Sequence, residues 1–203
     1  MRRTVVSISG LSSDTGKTSL ICELLASSPG WEAIKVTRGH YRSCGKDPHA
    51  CCVSHLLSDR PLVLSGYDQT YKAGKDTGRF WDSGAKNVHW VIATSEQVEA
   101  GVKIALERVT TPGVLIEGNS FLRYIDADYS IMVARPPFNA IKASARSVLA
   151  KMDAIYLSFC EPDHTMIEQL LSKLNQKNLP IDNVPIFSER NRHTLIEGVG
   201  RLR

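Results

Sequence analysis

Gly10-Leu11-Ser12-Ser13-Asp14-Thr15-Gly16-Lys17-Thr18-Ser19 is the stretch on which the reading of this chain turns. A β-rich run, Thr4-Val5-Val6-Ser7-Ile8-Ser9, precedes it. From Lys17 onward Leu20, Ile21, Leu24 and Leu25 recur at helical spacing. A glycine-bounded loop between a strand and a helix points its own N–H groups, and those of the helix's first turn, at an anion. Ser13, Asp14, Thr15, Gly16, Lys17, Thr18 and Ser19 would then wrap a polyphosphate. Lys17 would reach the β/γ-phosphates and the Thr18 hydroxyl would ligate Mg²⁺. Five residues, Leu11 to Thr15, separate the two glycines, where the common spacing is four. A glycine turn that only caps a helix accounts for Gly16, but not for a Lys-Thr pair placed directly after it. The expectation is a Mg²⁺-dependent site for a nucleoside triphosphate.

The pattern outward from this loop alternates to the end of the chain. The helix is expected over 17 to about 26, with Ser28-Pro29-Gly30 ending it. Further strands are expected at 33–36, 61–64, 87–94, 113–116, 129–133, 154–157 and 184–187. Helices are expected at about 96–108, 140–151 and 163–177, with a short one at the end. Strands alternating with helices predict a three-layer α/β/α domain around a mostly parallel sheet of seven to eight strands. In such a sheet the ligand lies beyond the carboxyl ends of the strands. Residues 1–203 read as one domain, and the irregular stretch at about 40–86 as a lid or insertion over the site.

Composition narrows the function. With 42% hydrophobic residues, 23% charged and a formal net charge of +4, the chain has the apolar content of a packed core and not of a disordered segment. No run approaches the ~20 apolar residues that span a bilayer, so no membrane contact is expected. The first ten residues lack the apolar core and cleavage site of an export signal. Lys and Arg are scattered and form no stripe, which argues against nucleic acid as a partner. Five cysteines, an odd number, preclude complete internal disulfide pairing, and a reducing cytoplasmic setting is the expectation. Cys22 and Cys160 sit among apolar neighbours and read as small core residues.

The five-residue spacing resembles the loop of the dethiobiotin synthetases and their relatives, a P-loop NTPase branch that includes molybdopterin-guanine dinucleotide biosynthesis protein B. Three further segments carry the resemblance. Ile34-Lys35-Val36-Thr37-Arg38-Gly39-His40 is similar to the lysine-bearing strand end of that branch, where the lysine faces phosphate or substrate. Gly74-Lys75-Asp76-Thr77-Gly78-Arg79-Phe80-Trp81-Asp82-Ser83-Gly84-Ala85 looks like the Lys-Asp-Ser/Thr…Ala-Gly-Ala segment of protein B. Val114-Leu115-Ile116-Glu117-Gly118-Asn119 looks like the Val-Glu-Gly strand end of both families. The segments keep their order over roughly residues 4–135. The resemblance implies that Thr18, Asp76 and Glu117 hold Mg²⁺, directly or through water. It also implies that Lys17, Lys35 and Glu117 do the chemistry, that Arg135-Pro136-Pro137-Phe138 faces the site, and that the protein is a homodimer. For Glu117 the residues agree independently, since a carboxylate directly after an apolar strand lies at the ligand edge, where a hard cation needs oxygen.

Residues 40–55 read His-Tyr-Arg-Ser-Cys-Gly-Lys-Asp-Pro-His-Ala-Cys-Cys-Val-Ser-His. Cys44, Cys51, Cys52 and His55, with His40 or His49, have the donors for Zn²⁺ or an iron–sulfur centre. If Pro48 starts a helix, Cys51 and His55 share one face at i, i+4. The alternative is that Cys52 and His55 pack a helix against the sheet while His40 lies near the phosphates. The cluster fits no standard zinc-finger spacing and has no counterpart in the motifs of the two families.

Two functions follow from these readings. One is slow hydrolysis of ATP or GTP by an accessory protein similar to protein B, assisting a partner enzyme in molybdenum-cofactor maturation or metal delivery. The other is an ATP-dependent ligase or kinase acting on a small acceptor, similar to dethiobiotin synthetase, with Lys35 and Arg38 meeting the acceptor or the γ-phosphate. No Asn-Lys-x-Asp run names guanine, and Ser188 to Asn191 is a candidate wall for either base.

Overall fold

The computed structural model describes residues 3–39, 53–158, 164–179, 181 and 183–202. In chain order the regular elements are β1 (Thr4–Gly10), α1 (Lys17–Ser27), β2 (Glu32–Arg38), β3 (Leu62–Ser65), α2 (Tyr67–Thr70), α3 (Asp76–Asp82), β4 (Val88–Ala93) and α4 (Val98–Arg108). These are followed by β5 (Gly113–Glu117), β6 (Tyr129–Ala134), α5 (Ala143–Arg146), β7 (Ala154–Leu157), α6 (His164–Asn175), β8 (Ile186–Ser188) and α7 (Arg192–Gly200).

The strands form one eight-stranded sheet in the order β3-β4-β2-β5-β1-β6-β7-β8. Every neighbouring pair is parallel except β3 with β4 at one edge. Successive side chains of a strand point to opposite faces, and the core divides accordingly. Val6, Ile8, Leu115, Ile131 and Val133 face a layer built from Leu20, Ile21, Leu24 and Leu25 of α1, Phe80 of α3, and Leu195 and Val199 of α7. Val114, Ile116, Met132 and Ile155 face the other layer, where Val98, Val102 and Ala105 of α4 and Leu170 and Leu174 of α6 cover them. Fully burying one such aliphatic side chain contributes roughly 1.5–3 kcal/mol, so both helical layers are held mainly by the faces they hide.

One expectation changes. The region 140–151, expected as one helix, is instead a single turn, α5, followed by a 3-10 turn at Leu149–Lys151. The Lys142 N–H bonds to the Leu11 carbonyl, and the Ser147 hydroxyl donates to the Ser144 carbonyl. These local bonds compete with helix propagation, and tether the segment to the phosphate loop. The sheet is mostly parallel as expected, its one antiparallel pairing being that of the edge strand β3, with Leu62 opposite Ile92 and Ser65 opposite His89.

Register positions the site. Parallel pairing sets Ile8 beside Glu117 and Lys35 beside Glu117. The exits of β1, β2, β5 and β6 therefore open on one edge of the sheet. Of the stretch expected as a lid or insertion, 40–52 lies outside the described residues, and 53–86 contains β3, α2 and α3.

Candidate functional site

The loop after β1 turns into α1 through Asp14 at φ 53° and Gly16 at φ 87°, both left-handed. Gly16 stands at the helix N-cap, where no side chain caps the first turn, so the free N–H groups there face the cavity. Gly10 is held by close approach: a Cβ on it would lie 2.9 Å from Lys17 Cδ and from Thr15 Oγ1. The Lys17 side chain thus folds back over the end of β1, across the mouth of the loop. Two side chains from elsewhere fix the loop. The Ser158 hydroxyl donates to the Thr15 carbonyl. The Asn119 amide grips Gly10 on both sides, accepting from its N–H at 2.8 Å and donating to its carbonyl at 2.9 Å.

A charged cluster closes the cavity opposite the loop. Lys35 Nζ lies 2.6 Å from Asp76 Oδ2 and 2.8 Å from Glu117 Oε1, while Lys17 Nζ is 3.9 Å from the same Glu117 oxygen. The Thr18 hydroxyl donates to Asp76 Oδ1 at 3.0 Å. Asp76 reaches this point as the first residue of α3, which packs on α1. The Glu117 side chain is only 3% exposed, and its Oε2 is buried without a hydrogen-bond partner among the described residues. An uncompensated buried carboxylate oxygen is costly.

Burial pushes the Lys17 ammonium below its ordinary value. Glu117 opposes that effect, while Lys35 and Lys142 add to it. Burial acts on Lys35 in the same sense, but the Glu117 and Asp76 carboxylates outweigh it and hold the ammonium above its usual range. For Asp76 burial works upward. The Lys35 ion pair and the Thr18 hydrogen bond prevail, leaving it below the usual carboxylate range.

Three hollows adjoin here. The middle one, about 430 Å³, is lined by Ser13 to Ser19 together with Lys35, Asp76, Arg79, Glu117, Arg135 and Lys142. Ser13 to Ser19, Lys35, Asp76 and Glu117, assigned from the sequence to phosphate or Mg²⁺, therefore line one cavity, while Arg38 does not line it and His40 lies outside the described residues. Beyond Lys17, Lys35, Glu117 and Lys142, which line both, a second hollow of about 320 Å³ adds Arg38, Asn119 and Ser144. At the other end Gly16 and Ser19 lead into a third of about 210 Å³, between Leu20, Glu23, Tyr156, Ser158, Glu189 and Arg192.

Of the cysteine–histidine cluster, His40, Cys44, His49, Cys51 and Cys52 lie outside the described residues. His55 is exposed on a 3-10 turn, Ser54–Leu56. Among the described residues, no group of three or more His, Cys, Asp and Glu side chains is arranged to hold a metal ion by itself. Several residues of the site escaped the sequence reading, among them Lys142, Tyr156, Arg192, Asn119 and Ser158. Asn119 had a signal, standing two residues after Glu117 at the exit of a strand that pairs with β1. Ser158 had none, since its partner Thr15 is 143 residues away.

No protein-family model matches the chain, and no curated protein sequence does. Among solved structures it is similar to HypB from Helicobacter pylori in complex with nickel, at 12% identity and TM-score 0.54, over 98% of this chain and 85% of that one. It is also similar to a plasmid partition protein from Borrelia burgdorferi, at 11% identity and TM-score 0.48, over 100% of this chain and 98% of that one. A third is apo-form LpxK from Aquifex aeolicus in complex with ATP, at 15% identity and TM-score 0.46, over 93% and 71%. At these identities the likeness is one of fold. The eight-stranded, mostly parallel sheet between two helical layers is the α/β fold of the P-loop NTPases. Among the described residues no helix is long and apolar enough to cross a membrane.

Proposed function

We propose that the chain binds a nucleoside triphosphate with Mg²⁺ and cleaves its γ-phosphate slowly, as an accessory protein of cofactor assembly of the protein B kind. One observation carries this reading. Lys17 and the uncapped head of α1 face the same cavity as the hydroxyl and carboxylates of Thr18, Asp76 and Glu117. The orphaned Glu117 Oε2 and the all-oxygen character of that set fit a hard cation. Thr18, Asp76 and Glu117 would hold such an ion, and its charge would offset the negative charge that develops on the phosphates.

The protein's own part is positioning. The N–H groups of 13–19 hold the phosphate oxygens, with Lys17 over the β/γ bridge. Lys35 meets the γ-phosphate from the side of β2, and Arg135 closes the cavity over Asp14. Ser19 leads the α-phosphate toward the hollow between Tyr156, Glu189 and Arg192, which takes the ribose and base of ATP or GTP. The protein B reading brings with it a homodimer and a partner enzyme. A metal on Cys44, Cys51, Cys52 and His55, Zn²⁺ or an iron–sulfur centre, would favour metal delivery as the task.

A second reading has its own support. The hollow beyond Lys17 and Lys35 is rimmed by Arg38 and Lys142, neither of which has a side-chain partner among the described residues. It has room for a small anionic acceptor beside the γ-phosphate, as an ATP-dependent ligase or kinase requires.

The test of binding is the thermal midpoint with ATP and with GTP, each with and without Mg²⁺. A ligand at a hundred times its Kd stabilises by about 2.7 kcal/mol, so a Mg²⁺-dependent rise with one nucleotide is expected. No rise with either would overturn the proposal. Phosphate release accelerated by a small acid, without a protein partner, would select the ligase or kinase.

A further inference from the structure

The ammonium of Lys35 sits between the two carboxylates that the proposed function gives to Mg²⁺. Its Nζ is 2.6 Å from Asp76 and 2.8 Å from Glu117. Register gives it no distant alternative, because Lys35 and Glu117 stand opposite each other on paired strands. We infer that Lys35 is an exchangeable counter-ion, which fills the cation position until phosphate arrives and so keeps free metal out of the site.

The charges explain why. Lys17 and Lys35 face Asp76 and Glu117 on a cavity whose wall also carries Arg79, Arg135 and Lys142, and of the four only Asp76 is substantially exposed. A bare divalent ion entering this cluster must drive an ammonium off its carboxylates without offering it a new anion. That exchange leaves a desolvated cation uncompensated and is unfavourable. A triphosphate changes the balance, because its oxygens are partners for both lysines, and both line the phosphate cavity. Once Lys35 turns to phosphate, Asp76 Oδ2 and Glu117 Oε1 are released. Together with Glu117 Oε2, which has no hydrogen-bond partner among the described residues, they are then open to the cation. Metal enters with the nucleotide and not before it. Lys35 also lines the hollow beyond the cavity, so its side chain has space on both sides for the movement.

This inference rests on the nucleotide reading and assigns Lys35 as a positioning residue that acts through the carboxylates. The experiment is a titration of nucleotide-free protein with Mn²⁺, read by electron paramagnetic resonance of the unbound ion. Lys35→Met is expected to bind Mn²⁺ at least tenfold more tightly than wild type. Lys35→Arg, which keeps the charge, is expected to bind it as weakly as wild type. If Lys35→Met does not fold, Lys35→Gln makes the same comparison. Equal Mn²⁺ affinity in wild type and the neutral variant would overturn the inference, because Lys35 would then be a fixed strut with no influence on metal. No nucleotide is present in this titration. A failure of the nucleotide reading appears separately, as an unmoved thermal midpoint with ATP and GTP.

Discussion

At the amino end of β2, Glu32 is wholly buried, and every polar atom around it is answered. Its Oε2 lies 2.7 Å from His89 Nε2, and its Oε1 accepts from the Thr110 N–H, the Thr110 hydroxyl and the Thr111 N–H. The other ring nitrogen of His89 meets the Ser65 hydroxyl at 2.9 Å, and Arg108 donates to that same hydroxyl. Three residues further along the strand, Lys35 belongs to a cluster of the opposite kind. Glu117 keeps an unpartnered oxygen, Lys17 stands 3.9 Å from its carboxylate, and the whole group opens on a cavity. Both clusters carry buried charge, but only one is closed. The closed network joins β2, β3, β4 and the turn before β5, and lines none of the three hollows at the carboxyl edge. The open one leaves its interactions incomplete until a ligand brings the missing charges. A buried ionic network is therefore no sign of a site by itself, and the unsatisfied atoms are what separate the two.

The comparison breaks most readily at His89. Truncating one member of a buried pair strands the other, at a cost of about 3–5 kcal/mol. His89→Ala is expected to lose that much stability in urea unfolding, while the nucleotide affinity of the folded fraction stays at its wild-type value. A variant that keeps its stability but loses nucleotide would place the closed network in the site.

Acid sharpens the same contrast. Burial works to raise the Glu32 carboxyl, but the hydrogen bonds from His89 and Thr110 prevail and hold it at about 2, against an ordinary 4.5. A depressed folded-state value means stability that is complete above about pH 4.5 and disappears as pH falls through about 2. For this fully buried group it amounts to something on the order of 3 kcal/mol. Unfolding free energy measured from pH 5 down to pH 2 is expected to fall steeply in wild type and more gently in Glu32→Gln. Parallel curves would mean that the network contributes nothing through its charge.

At the open cluster the expected signs reverse. Burial makes the Lys17 ammonium less favourable folded than unfolded, and the Glu117 carboxylate keeps Lys35 when Lys17 is removed. Lys17→Ala is therefore expected to melt no lower than wild type. Its nucleotide affinity is expected to fall about a hundredfold, the loss of one or two charge-assisted bonds to phosphate. Calorimetric titration of the triphosphate decides it, and undiminished affinity would sink the phosphate-loop assignment.

The two clusters also differ in how far the sequence announced them. Lys17 and Thr18 were legible because strand, loop and helix are contiguous, so their chemistry is written in a single short segment. Glu117 was legible from one rule, a carboxylate at the end of an apolar strand. Asp76 and Lys35 entered only through resemblance, since nothing local shows that α3 delivers Asp76 to Thr18 across 58 residues. The Glu32–His89 pair was invisible, because its partners come from three separate strands and a turn, and His89 read only as packing. Periodicity reports which face of an element is buried. It does not report which buried polar groups meet, and that is what makes the closed network. The missing helix at 140–151 has the same origin, in bonds from Lys142 and Ser147 that periodicity does not weigh.

Asn119 bears on the contrast from the side of the loop. It follows Glu117 by two residues and holds the end of β1 by both polar groups of Gly10, so one amide connects the carboxylate's strand to the loop that carries Lys17. If the open cluster is preorganised for phosphate, this clamp acts on both stability and binding. Asn119→Ala removes two part-buried hydrogen bonds to Gly10, at a cost of about 2 kcal/mol in unfolding. The loosened loop is expected to lower nucleotide affinity about tenfold, less than loss of Lys17, because the phosphate-binding groups are still present but no longer held in place. Measuring both quantities on one preparation is decisive. A fall in stability with unchanged affinity would mean that the loop finds its shape around the ligand unaided, and that the clamp belongs with the closed network at the other end of the sheet.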